Sequence, residues 1–208
     1  EQGLVYDAGN LAFILPTGKY IGNSRYKDVF AASTTADLTS FRNHWGAETS
    51  LDVELYRPVA RYELVAKDVA TFLNKLSTGG LKGESFTARV KYSDYLPTGY
   101  NLWDDVPKNS LMYMEYKVAF ERPADGTKEL ILGFDYVLTD AGETVSIPVE
   151  LEILNEKNEV LARTAFRIPC ERGKNTTVRG NFLTSDINGG IGIDPDYDGD
   201  LEVDLGEL

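Results

Sequence analysis

The chain has 208 residues, a formal net charge of −12, 42% hydrophobic and 26% charged residues, and a single cysteine, Cys170. That length fits one large domain or two small ones and buries roughly 70% of the unfolded surface, so neither a disulfide nor a metal is needed for folding. The composition excludes disorder, and the lack of any basic stripe argues against nucleic acid as a partner.

The acidity is uneven. Eight acidic residues and no Lys or Arg lie between Asp186 and Leu208, leaving 25 acidic against 21 basic residues in the rest. No apolar run approaches the roughly 20 residues that span a bilayer. Glu1 is followed by neither a basic n-region nor an apolar h-region, so any signal peptide is expected to have been removed already.

Val5-Tyr6 and Leu11 to Leu15 read as short strands, with turns at Pro16-Thr17-Gly18 and Gly22-Asn23-Ser24. Tyr26 to Ala32 suggests one helical turn with Val29 and Phe30 inward. No period dominates residues 1–46, which points to a long excursion packed on a sheet edge. Leu51, Val53 and Leu55 then alternate with Asp52 and Glu54, predicting a half-buried strand, bulged or at an edge near Pro58, that continues through Val59–Val65.

Asp68 to Leu76 predicts a helix, with Val69, Phe72, Leu73 and Leu76 on one face, Asp68 at its start and Gly79-Gly80 as its stop. Residues 78–84 are where an internal lobe boundary would fall. Beyond it the chain alternates as strands do: Phe86, Ala88, Val90 and Tyr92; then Met112, Met114, Tyr116, Val118 and Phe120. Leu132, Phe134, Tyr136 and Leu138 form another inward row, and Ile147, Val149, Leu151 and Ile153 the next. Leu96-Pro-Thr-Gly99 reads as a turn, and Asn155–Asn158 as a hairpin loop leading into Val160–Ile168. Arg172-Gly-Lys-Asn175 interrupts the last pair, before Thr176–Leu183. Such strands with one helix predict a mostly β fold, an antiparallel β-sandwich with one or two short helices.

No catalytic constellation emerges. Asp194, Asp196, Asp198 and Asp200 match the first half of a calcium loop, but its twelfth position is Leu205 where a bidentate Glu is required, and flanking helices are missing. An acidic turn feeding a terminal strand explains them more simply. His44 lacks a nucleophile elbow to serve, and Cys170 reads as a small buried hydrophobe. Asp104-Asp105, beside Trp103 and Tyr100, is the most lectin- or glycosidase-like cluster, though a turn with a half-buried aromatic accounts for it. Asn175-Thr-Thr177 fits a glycosylation sequon, a common chance match.

Five segments in order carry a resemblance: Gly22-Asn23 with Lys27-Asp-Val-Phe30; Arg57-Pro-Val-Ala-Arg-Tyr-Glu-Leu64; Leu96-Pro-Thr-Gly-Tyr-Asn-Leu102; Phe134-Asp-Tyr-Val137; and Ile168–Thr184. Together they resemble the fimbrillin-like surface proteins of type V pili of Gram-negative bacteria, the lipoprotein-type members above all. The resemblance implies a transthyretin-like or fimbrillin-like β domain over 1–208, lacking strands that such proteins usually carry earlier. It implies a non-enzymatic cell-surface adhesion or pilus-associated protein, extracellular or anchored to the outer membrane by a lipid outside this chain. Its partners would be other subunits joined by strand addition, or host and bacterial glycans or proteins, with no cofactor. The alternative is a glycan-binding surface lipoprotein domain using Trp45, Trp103 and Tyr100 as stacking platforms.

Overall fold

A computed structural model describes residues 5–81 and 83–185, together with the backbone of 201–204. Twelve strands are described: β1 (Tyr6–Asp7), β2 (Leu15–Pro16), β3 (Val59–Ala66), β4 (Ser85–Tyr92), β5 (Leu96–Asn101), β6 (Val106–Leu111), β7 (Glu115–Glu121), β8 (Leu130–Leu138), β9 (Thr144–Asn155), β10 (Val160–Glu171), β11 (Asn175–Gly180) and β12 (Leu201–Asp204). One α-helix, α1 (Val69–Ser77), follows β3, and 3-10 turns occupy Arg25–Lys27 and Thr39–Phe41.

Two four-stranded sheets, ordered β10-β9-β4-β7 and β12-β11-β3-β8, enclose the main core. The sandwich predicted from periodicity is the fold found. All pairings are antiparallel except β3 with β11, which run parallel with Tyr62 opposite Thr176. The alternating rows behave as their period demands: Phe86, Ala88, Val90 and Tyr92 of β4 face Leu151 and Ile153 of β9 and Tyr62 and Leu64 of β3 in one apolar cluster. Helix α1 closes one end through Val69, Phe72 and Leu73, with the Phe72 ring edge-on to Phe86 at 5.1 Å. Asp68 does not cap the helix with its side chain. Its carboxylate instead accepts the amides of Leu183 (3.0 Å) and Thr184 (2.8 Å) and the Thr184 hydroxyl (2.8 Å), tying the end of the Ile168–Thr184 stretch to the helix start.

The Leu132–Leu138 row departs from its predicted facing. A bulge at Gly133, φ +150°, shifts the register between β3 and β8, so Leu132 stays in the main core while Phe134, Tyr136 and Leu138 turn outward. There they meet Val59, Tyr100, Ile14 and Val29 in a second apolar cluster. Asp135 and Val137 consequently face inward. The N-terminal excursion and the β5–β6 hairpin form this third layer over the outer face of the second sheet.

Three local expectations are corrected. Leu51–Leu55 pairs with no strand among the described residues and stays exposed, because its neighbour Tyr56 is bridged to Ala31 and the segment before it belongs to a long loop. Leu96–Asn101 is a strand rather than a turn: a Cβ on Gly99 would lie 2.5 Å from the Lys108 carbonyl oxygen and 2.7 Å from that of Ile14, so the glycine serves close strand approach. Phe30 is exposed and lies outside any helix instead of turning inward on one.

Candidate functional site

No described group of His, Cys, Asp or Glu can hold a metal. The features that can engage another molecule are the sheet edges, the apolar groove under the excursion and the exposed loop 32–55. Each is set by local sequence.

Strand β7 pairs with β4 on one side only. The Tyr92 amide donates to the Met114 carbonyl, and the Arg122 amide donates to the Glu84 carbonyl. Alternation then places the backbone groups of Tyr116, Val118 and Phe120 toward β4, and those of Lys117, Ala119 and Glu121 toward the free side. Among the described residues nothing bonds to that free ladder. The other edges are each engaged at one or more points. On β8, Asn23, φ +53°, donates its amide to the Phe134 carbonyl (3.1 Å) and accepts the Phe134 amide on Oδ1 (3.2 Å), so one residue mimics a neighbouring strand. On β10, Pro169 has no N–H, and its carbonyl accepts the Thr176 hydroxyl at 2.7 Å. On β11, the backbone of β12 takes the outer position, Thr177 opposite Glu202.

The excursion is latched by buried charge. Lys27 Nζ lies 2.7 Å from Asp135 Oδ1, both essentially inaccessible to solvent. The same carboxylate accepts the hydroxyls of Tyr92 (2.7 Å) and Tyr20, and Tyr62 joins Tyr92 at 2.7 Å. Burial pushes these phenols well above the usual tyrosine range, and it pulls the Lys27 ammonium down against the attraction of Asp135. Three tyrosine hydroxyls and one ion pair thus share a buried cluster between the sheets. Gly22 lies flat on the Tyr116 ring, where a Cβ would come within 2.3 Å of its atoms. Outside the core, Arg57 binds Asp28 (2.8 Å) and stacks over Phe30.

A second hub joins the β5–β6 hairpin to the β10–β11 turn. Asp105, φ +58°, receives both terminal nitrogens of Arg172 (2.6 and 2.8 Å) and the hydroxyls of Tyr56 (2.6 Å) and Tyr100 (2.7 Å). The Arg172 guanidinium holds the Asp105 carboxyl down to about 2 and covers the Tyr56 ring at 4.2 Å. The hub fixes the neck of the 32–55 loop, where Ala31 and Tyr56 exchange backbone bonds of 2.8 and 2.9 Å. An apolar groove of about 320 Å³ lies nearby, lined by Tyr6, Leu11, Ile14, Phe30, Tyr100 and Leu138.

The predicted site residues separate. Asp194, Asp196, Asp198 and Asp200 lie outside the described residues. Trp45 is fully exposed and Trp103 largely so, whereas Tyr100 is buried with its hydroxyl on Asp105 and cannot serve as a platform. His44 sits exposed in the loop. Cys170 is buried, and burial pushes its thiol up to about 12, which removes it as a nucleophile. Asn175 is half-buried and accepts Arg61 at 2.5 Å. Sequence alone does not bring Asp135 and Lys27 together, because they lie 108 residues apart; the one signal is an acid within an otherwise apolar strand.

A family model described as "Family of unknown function (DUF6562)" matches residues 1–206. No curated protein matches the chain. Two solved structures are similar to part of it. One, described as a "putative cell adhesion protein" from Bacteroides ovatus, is 13% identical with a TM-score of 0.37, over 62% of this chain and 41% of that one. The other, of the same description from Bacteroides eggerthii, is 10% identical with a TM-score of 0.35, over 73% and 55%. The chain spans about half the length of these proteins, and the likeness is too slight to carry a role across.

Proposed function

The chain belongs to the DUF6562 family of unknown function, and from that premise we propose that it is a non-enzymatic, fimbrillin-like cell-surface protein. It acts in adhesion or within a pilus, and it assembles through β-strand complementation. The observation that carries this reading is the open ladder of β7, where Lys117, Ala119 and Glu121 aim backbone donors and acceptors away from the sheet, whereas β8 is engaged at Phe134 and β10 is interrupted at Pro169. An open ladder of this kind is a template for a strand of another chain. The C-terminal β12, added at the edge of the second sheet, and the apolar groove beside β5 support the same reading. Such a protein is extracellular or held at the outer membrane by an anchor outside this chain.

Ala119→Pro tests it. The substitution removes one outward N–H and leaves the β4 ladder untouched. Wild-type protein is expected to form higher-mass species as concentration rises in sedimentation runs, Ala119→Pro to remain monomeric with unchanged thermal stability. Assembly of Ala119→Pro equal to wild type would refute the proposal.

The glycan-binding alternative retains one specific support, the full exposure of Trp45 on the loop between Ala31 and Tyr56. It predicts that Trp45→Ala abolishes retention on a glycan array without any change in folding.

A further inference from the structure

The segment Leu51-Asp-Val-Glu-Leu55 has the period of a strand and, among the described residues, no strand beside it. Leu51, Val53 and Leu55 are 55%, 49% and 59% exposed. Among the described residues, no hydrogen bond holds its backbone; the nearest is the Tyr56–Ala31 bridge at the loop neck. An alternating apolar row gains nothing from alternation in water, since only pairing with one buried face uses it. Three neighbouring branched side chains left in solvent on a long loop mark a contact surface.

We infer that Leu51–Leu55 is a donor strand and that it adds to the open edge of β7 in a second copy of this chain. The inference rests on the strand-complementation reading above and names its donor. The match is one of row and charge. With the segment antiparallel to β7 and Val53 opposite Val118, Leu51 falls opposite Phe120, and Leu55 opposite Tyr116. The outward residues then place Glu54 opposite Lys117 and Asp52 opposite Ala119. Those two pairs fall at Lys117 and Ala119, whose backbone groups face the free side, so the ladder closes where it is open. Val118 and Phe120 point toward the core yet remain half-exposed at the rim, which leaves room for an added apolar row. Glu115 and Glu121, the acids that would repel Asp52 and Glu54, lie outside the paired span. A shift of the segment by one residue would turn Leu51, Val53 and Leu55 to the polar face.

Donor and acceptor are different surfaces of one molecule, so their pairing is heterologous and propagates from copy to copy. The association is open-ended, as a pilus or a surface layer requires.

The test mixes two single variants, Glu54→Cys and Lys117→Cys, under mild oxidation. Cys170 is buried and stays out of the exchange. A disulfide-linked heterodimer is expected, formed at least about tenfold faster than by Glu54→Cys with Lys108→Cys, an exposed but unrelated lysine. The double variant Glu54→Cys/Lys117→Cys should give a ladder of multimers on a non-reducing gel. A heterodimer no faster than the Lys108 control, or a double variant cross-linked only within its own chain, overturns the proposal. If Ala119→Pro blocks assembly while the cysteine pair fails to link, strand addition stands and this donor is wrong. Val53→Asp, at an exposed position, gives a second reading: assembly should weaken by about tenfold, as removing one buried Val predicts.

Discussion

The Lys27 ammonium sits 2.7 Å from the Asp135 carboxylate between the two sheets, in a position from which water is excluded. Lys27 belongs to the N-terminal excursion and Asp135 to an edge strand of the second sheet, so the pair decides whether the third layer stays on the sandwich. Removing one partner strands the other without compensation. Lys27→Met should lower unfolding free energy by about 3–5 kcal/mol, whereas Lys27→Met with Asp135→Leu should recover a good part of that loss. Urea denaturation of the two variants measures the difference.

The Asp105 hub predicts a local effect. Arg172→Met leaves Asp105 with its tyrosine donors but without the guanidinium that spans two loops. A loss of about 1–2 kcal/mol is expected. The sharper sign is faster proteolysis within residues 32–55, because Tyr56 at the loop neck is released. Unchanged cleavage would show that the Ala31–Tyr56 bridge holds the neck by itself.

Acid should act through Glu152. Burial opposes its charge, but hydrogen bonds from Lys91, Arg89 and Arg163 outweigh burial and hold the carboxyl at about 2. A folded-state value below the unfolded one of ~4.3 means this stabilisation is complete above about pH 5 and is lost as pH falls toward 2. Asp105, also near 2, adds a smaller share because its side chain is 41% exposed. Thermal melts between pH 6 and 2 should show a steep fall for wild type and a flatter profile for Glu152→Gln.

Close approach at Gly99 gives a steric prediction. Gly99→Ala drives a methyl into two backbone carbonyls and should cost about 1–3 kcal/mol or prevent the β5–β6 hairpin from seating. Gly18→Ala meets nothing within 4 Å and should stay within about 0.5 kcal/mol of wild type. Parallel melts of the two variants separate them.

Period-two alternation in β4, β9 and β10 was enough to read the sandwich, because those strands bury one face and leave the other to charge ladders such as Arg89–Glu152–Arg163. Alternation failed where both faces are covered. On β8 the outward row Phe134, Tyr136 and Leu138 is as apolar as a core row, and the Gly133 bulge that reverses its facing has no period to announce it. It failed again at Leu51–Leu55, where the strand pattern is present and a partner among the described residues is not. Four of the five segments that resemble fimbrillin-like proteins turn out to be physically joined: Asn23 to Phe134, Lys27 to Asp135, Asp28 to Arg57, and Arg61 to Asn175. No single segment shows those pairs, since each joins residues far apart in the chain. Ile168–Thr184, read from sequence as a closing strand, also holds Arg172 against Asp105 and returns its last amides to Asp68.

Amide hydrogen exchange along β7 addresses the assembly edge most directly. In dilute protein, the amides of Tyr116, Val118 and Phe120, bonded to β4, should exchange slowly, and those of Lys117, Ala119 and Glu121 rapidly. As concentration rises, the second set should become protected together with residues 51–55. Rapid exchange of Lys117, Ala119 and Glu121 at every concentration would contradict assembly through this edge.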